Sequence, residues 1–297
     1  MNRQERAVRK RSPLMRGCLI LVVVFAGFLI LMGVMGKIGG SLTGFRENVG
    51  VVKIEGIITD SETINESIRK FGKDEKIKAV VLRINSPGGG VGPSQEIYQE
   101  VKRLRDKKIV VASIGAVGAS GGYYIACGAN KIVANPGSIT GSIGVIMEFL
   151  NVKELVEKLG LKGMVVKSGP MKDVGNPLRE MTKEEKRFLK KLIDNIHIQF
   201  VDAVADGRKL ERSKVEVIAD GRIFSGSQAK ELGLVDSLGN FYDAIDISAK
   251  ISGIKGEPNL VYPPKKKISI IDLIKGEVKS IIEKVVFEMI FPTFVTN

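Results

Sequence analysis

Residues 115–128 read GAVGASGGYYIACG, a dense run of small residues with one hydroxyl, Ser120, between Ala119 and the pair Gly121-Gly122. Small residues on both sides let the backbone turn tightly and leave the hydroxyl accessible. The apolar run 123–126 that follows predicts a helix that buries itself. A nucleophile at a helix start lies near backbone N–H groups and the positive dipole end, where an anion is stabilised. The bland alternative is a Gly/Ala-rich packing segment in which the serine is incidental.

Outward from this stretch, strand and helix signals alternate at the length of βαβ units. Strands are expected at 51–58, 78–84, 109–114, 131–134, 142–147 and 163–167, and helices at 61–71, 94–105, 152–159 and 225–232. The longest soluble helix is expected over 182–205, opened by Thr182 with Glu185 three residues on, a capping box. Ser61 is a plausible N-cap. The run Asn85-Ser86-Pro87-Gly88-Gly89-Gly90 is expected to end its strand. This alternation predicts an α/β domain with a largely parallel sheet.

The ends differ from the middle. Residues 1–16 carry Arg3, Arg6, Arg9, Lys10, Arg11 and Arg16 against Glu5, so part of the chain's +13 is a basic tail. Residues 17–36 contain no charge, and twenty residues at about 1.5 Å each span the roughly 30 Å hydrocarbon core. They are expected to be a transmembrane signal anchor. The basic flank predicts a cytoplasmic N-terminus and an extracytoplasmic remainder. A cleaved signal peptide is the competing reading, but the run is long for one and no A-x-A site follows. Residues 37–48 are expected to be a linker, 49–262 the α/β domain, and 263–297 a second linker with an amphipathic helix over 268–291.

Composition narrows the chemistry. The basic balance comes without zinc-finger, helix-turn-helix or aromatic-interleaved basic patterns, so no nucleic-acid partner is expected. One histidine and two separated cysteines, Cys18 and Cys127, leave no credible metal site, and no cofactor is expected. The glycine-rich turns 85–90 and 118–122 match neither a P-loop nor a dinucleotide fingerprint. Their glycines can instead expose N–H groups to an oxyanion, Gly121 after the nucleophile and Gly88 or Gly89 from the other loop. His197 sits mid-helix between isoleucines and reads as structural, which leaves a lysine as candidate base. Such a lysine must be neutral, a fall from about 10.4 towards 7–8 that burial has to supply. Lys172 stands apart from the surface lysines, on the Gly/Pro turn KSGPMK at 167–172, although Asp173 beside it opposes neutrality if it points inward.

INSPGGG at 84–90, ASGGYYIA at 119–126, ANPGSITGSIGVI at 134–146, KSGPMKD at 167–173 and ADGRIFSGSQAKELGLVD at 219–236 occur together and in order. In these motifs the chain resembles the signal peptide peptidases of the SppA type, membrane-anchored serine proteases. The resemblance covers about residues 50–250 and implies a Clp/crotonase-like (ββα superhelix) α/β fold. It implies Ser120 as nucleophile, Lys172 as general base, Gly89 and Gly121 as oxyanion donors and Ser142 as the residue that orients the lysine. It further implies remnant signal peptides as substrates and, for a short single-domain form, a homo-oligomeric ring. A stomatin-partnered membrane protease of the same class, acyl-CoA chemistry on the same fold, and a non-catalytic membrane scaffold are the alternatives.

Overall fold

The computed structural model describes residues 24–32 and 48–264. Residues 24–32 form a helix (α1) with exposed side chains. No helix among the described residues is long and apolar enough to cross a membrane. The rest of the expected span 17–36, and the expected helix 268–291, lie outside the described residues.

From residue 48 the chain forms an eight-stranded sheet. Its strands are β1 (Asn48–Ile58), β2 (Ile77–Gly89), β3 (Ile109–Ala119), β4 (Lys131–Ala134), β5 (Ile139–Gly141), β6 (Ile223–Ser225), β7 (Ser237–Leu238) and β8 (Asn259–Val261). The main path runs β6-β5-β3-β2-β1-β8, with β4 and β7 branching off β3. All pairs are parallel except β5 with β6. The helices are α2 (Glu62–Lys73), α3 (Val91–Arg105), α4 (Gly121–Ala126), α5 (Lys153–Lys158), α6 (Lys183–Arg208), α7 (Arg212–Ile218), α8 (Gly226–Glu231) and α9 (Phe241–Ser252).

The central strands are apolar on both faces because both are covered. Val80, Leu82 and Ile84 of β2 face a core shared with α2, α3, α4 and the C-terminal half of α6. The alternate residues Ala79 and Val81 meet Ala244, Ile245 and Ala249 of α9. The cap at Thr182 matches its sequence signature, and the structure adds a second at Ser225. Thr182 opens α6 and Ser225 opens α8, each in a reciprocal capping box. Ser61 precedes α2, but its hydroxyl donates to Glu96 on α3 instead of capping the helix.

Three expectations are corrected. β2 does not end at Ile84. It runs through Asn85-Ser86-Pro87-Gly88-Gly89, because the register with β1 slips between Glu55 and Ile57. A slipped register tolerates a proline without an N–H. β3 likewise runs on to Ala119, its first half paired with β4 and its second with β5. The expected strands 142–147 and 163–167 do not form. No neighbouring strand pairs with these segments, and Ile146, Met164 and Val166 are 80%, 91% and 95% exposed.

Candidate active site

The site lies beyond the C-terminal ends of β2, β3 and β5, the end at which open parallel sheets carry ligands. β3 ends at Ala119 and α4 begins at Gly121, so Ser120 takes the whole turn. Its φ is +50°, in the left-handed region that L side chains rarely enter. The backbone is held there from both sides. The Ser120 N–H donates to the Gly141 carbonyl at 2.9 Å, and the Ser120 carbonyl accepts from the Tyr124 N–H at 2.8 Å. The half-buried hydroxyl has no hydrogen-bond partner among the described residues. It is therefore free to act as a nucleophile once a base is supplied.

Gly121 is the first residue of α4, and its N–H has no partner within the helix. The end of β2 is packed against it. A Cβ added at Gly88 would lie 2.7 Å from the Gly121 nitrogen and 2.8 Å from the Ser120 Cβ. A Cβ added at Gly89 would lie 2.3 Å from the Ile58 carbonyl oxygen. Both glycines have positive φ, +105° and +155°, so no other residue fits either position without strain.

Two side chains that the sequence did not single out brace this loop. The Asn85 carboxamide oxygen accepts from the Val117 N–H at 3.2 Å. Ser86 donates to the Gly56 carbonyl at 2.6 Å and accepts from the Gly88 N–H at 3.1 Å. Both belong to the quoted motif 84–90, which is where a signal for them existed. Ser94 carried no signal, yet its Oγ would lie 2.4 Å from a Cβ at Gly121.

Ser120, Gly89 and Gly121 line one cleft, walled by Val91, Tyr124, Val145, Ile196 and Phe200. It is narrow, about 30 Å³, room for about two waters. Tyr124 is held between Tyr98 and Phe200, ring centroids 4.9 and 4.8 Å away. Below it, Tyr123 is fully buried and its hydroxyl donates to the Leu234 carbonyl at 2.8 Å, which anchors α4. On the far side of Tyr124, between α2 and α3, lies a polar groove of about 740 Å³. Its two arginines, Arg69 and Arg103, both engage Glu100.

Ser142 follows β5 directly, one residue beyond the last register pair Ala119↔Gly141, and it does not line the Ser120 cleft. It too has a positive φ, +51°, and its N–H donates to the Arg222 carbonyl at 2.8 Å. Lys172 stands elsewhere. It is exposed, on a turn closed by its N–H to the Gly169 carbonyl at 3.2 Å, and it does not line the Ser120 cleft. Asp173 does not face it with a free carboxylate. Arg179 grips both Asp173 oxygens at 2.9 Å each, and Lys167 approaches one of them. His197 is half-buried and its Nε2 has no partner among the described residues, but it does not line the cleft. No group of residues that could hold a metal ion occurs among the described residues.

Comparison with known proteins follows the same outline. The family model described as peptidase family S49 matches residues 102–255, and that of Clp protease matches residues 52–138. A Synechocystis sp. protein named as a protease is 44% identical over 75% of this chain and 82% of its own length. An Enterococcus faecium protein named as a signal peptide peptidase, SppA, is 41% identical over 60% of this chain and 52% of its own. Protease 4 of Salmonella typhi is 33% identical over 82% of this chain. The chain thus spans from 41% to 82% of the length of these relatives.

Proposed function

The chain belongs to peptidase family S49 and is a serine peptidase; on that premise we propose that it is a membrane-anchored endopeptidase with a Ser120/Lys172 dyad that degrades remnant signal peptides. The observation that carries the reading is the Ser120 turn itself, an unbonded hydroxyl flanked by the Gly121 N–H and the glycine end of β2. In the proposed reaction the unprotonated Lys172 amine takes the Ser120 proton as Oγ attacks the peptide carbonyl carbon. The Gly89 and Gly121 N–H groups hold the oxyanion. The lysine then gives its proton to the leaving amine, and a water it activates releases the acyl group. Ser142, just beyond the β3–β5 ladder that carries Ser120, orients the amine.

Lys172 reaches Ser120 from a neighbouring subunit in a homo-oligomeric ring. Two features support this. Lys172 is exposed and absent from the cleft of its own chain. Segment 146–166 around α5 also presents large apolar side chains to solvent, including Ile146, Leu150, Met164 and Val166. Several large apolar side chains exposed along one segment suit an interaction face. The narrow, apolar cleft suits a short apolar side chain at the cleaved bond. The uncharged run 17–36 anchors the enzyme, and the same apolar character in signal peptides presents them at that membrane.

Subunit complementation tests the reading. Ser120→Ala and Lys172→Ala are each expected to lose peptide hydrolysis and, for Ser120→Ala, labelling by a fluorophosphonate. Co-assembly of the two variants is expected to restore turnover, because mixed interfaces pair an intact serine with an intact lysine. Retained turnover by purified Lys172→Ala refutes the dyad. Inactive mixed oligomers refute its formation between subunits.

A further inference from the structure

The turn that carries Lys172 ends in a closed network of charges. Asp173, its immediate neighbour, is 11% exposed at the side chain and is met by cations from two sides. Lys167, before the turn, approaches Oδ1 and donates to the Pro170 carbonyl at 3.2 Å. Arg179, after the turn, binds both carboxylate oxygens and also the Asp173 backbone carbonyl at 3.1 Å. The same guanidinium reaches α6, where Nη1 donates to Glu185 at 2.9 Å and Nη2 makes a second, closer contact. Glu185 is itself buried and fixed by the capping box, its carboxylate accepting from the Thr182 N–H at 2.8 Å.

Two carboxylates and two cations therefore satisfy one another, and Lys172 is the charge left over. Its amine has no ion pair or hydrogen bond among the described residues. Without Arg179 the balance changes. Asp173 would keep only Lys167, and the nearest other cation to it along the chain is its immediate neighbour Lys172. A freed carboxylate that comes within about 4–6 Å of an amine favours the protonated form, which cannot accept a proton. The tether matters as well, since α6 is the helix whose Ile196 and Phe200 wall the Ser120 cleft.

We infer that Arg179 is a positioning residue for the peptidase reaction: it withholds the Asp173 carboxylate from Lys172 and ties the lysine turn to α6. This rests on the reading of Lys172 as the base.

The test is the pH profile of kcat/KM for a fluorogenic peptide, measured on the assembled full-length protein. Arg179→Gln is expected to lower the rate and to move the half-maximal pH upward by about one unit, since an opposite charge within about 4–6 Å shifts a base by that order. Adding Asp173→Asn is expected to return the half-maximal pH to the wild-type value, because it removes the freed carboxylate without restoring the tether. An Arg179→Gln enzyme that is slower at every pH with an unmoved midpoint overturns the inference and leaves only a structural tether. If Arg179→Gln does not assemble, Arg179→Lys is measured instead. A midpoint above that of wild type supports the inference, and an unmoved one overturns it. Lys172→Ala separates the two readings. Activity in that variant overturns the dyad and this inference together, whereas its inactivity with an unmoved Arg179 midpoint overturns this inference alone.

Discussion

Gly121→Ala tests the oxyanion geometry most directly. The added methyl would sit 2.4 Å from the Ser94 Oγ and 3.3 Å from the Gly88 Cα. Comfortable carbon contacts lie at about 3.5–4.0 Å, so the shortfall against Ser94 is about 1 Å. Relieving it must turn the Ser94 hydroxyl off the Gly90 carbonyl or part α4 from α3 and the glycine end of β2. Overpacking of this kind costs about 1–3 kcal/mol of stability, a fall of about 2–4 °C in Tm for each kcal/mol in a domain of this size. The Gly121 N–H moves with its Cα, and a 1 Å misplacement costs about 10²-fold in rate. Loss of one oxyanion donor costs about 10²–10³ in kcat. We therefore expect Gly121→Ala to reduce kcat about 100-fold, with KM little changed and the protein folded. Ser94→Ala removes the clashing oxygen and leaves the Ser94 Cβ at 3.3 Å. It also removes the Ser94 hydrogen bond to the Gly90 carbonyl, worth about 1 kcal/mol. The double variant should recover about tenfold of the lost kcat, because the methyl then needs a shift of only a few tenths of an ångström. Steady-state hydrolysis of a fluorogenic peptide and thermal melts of the four proteins provide the cycle. Gly121→Ala within threefold of wild type, or a double variant no faster than Gly121→Ala, would refute the argument.

Two further outcomes are expected. Burial pushes the Cys127 thiol up to about 12, so a Cys18→Ser protein should resist thiol labelling at pH 8 until it is unfolded; stoichiometric labelling of the native state would contradict the buried assignment. Hydrogen bonds from Arg179 hold Glu185 down to about 2 and Asp173 below the usual carboxylate range. Groups depressed on folding stabilise above their unfolded values, about 4, and lose that contribution as pH falls through the folded ones. Amide exchange across residues 170–186 should thus be protected alike at pH 7 and pH 5 and lose protection towards pH 2. Loss of protection already at pH 5 would show that the network does not hold the turn.

The extent to which this protein is legible without coordinates follows from the range of the interactions involved. The α/β alternation, the capping box at Thr182, and the placement of Ser120 at a strand-to-helix turn are local. Each is set by residues within about one helical turn of one another, so spacing alone reveals it. Family motifs add the roles assigned to Ser120 and Lys172, which local chemistry left open.

Tertiary contacts decided the rest. That β2 runs on through Asn85–Gly89 depends on the register slip against β1 and on Ser86 reaching Gly56, thirty residues away. That 142–147 and 163–167 remain irregular depends on the absence of a strand beside them. A strand exists only when a neighbour takes its backbone hydrogen bonds, which a chain's own β propensity cannot supply. Likewise, sequence places Asp173 next to Lys172 but not its carboxylate. Only the fold delivers Arg179 and Lys167 to it, because ion pairing follows distance in space and not order along the chain.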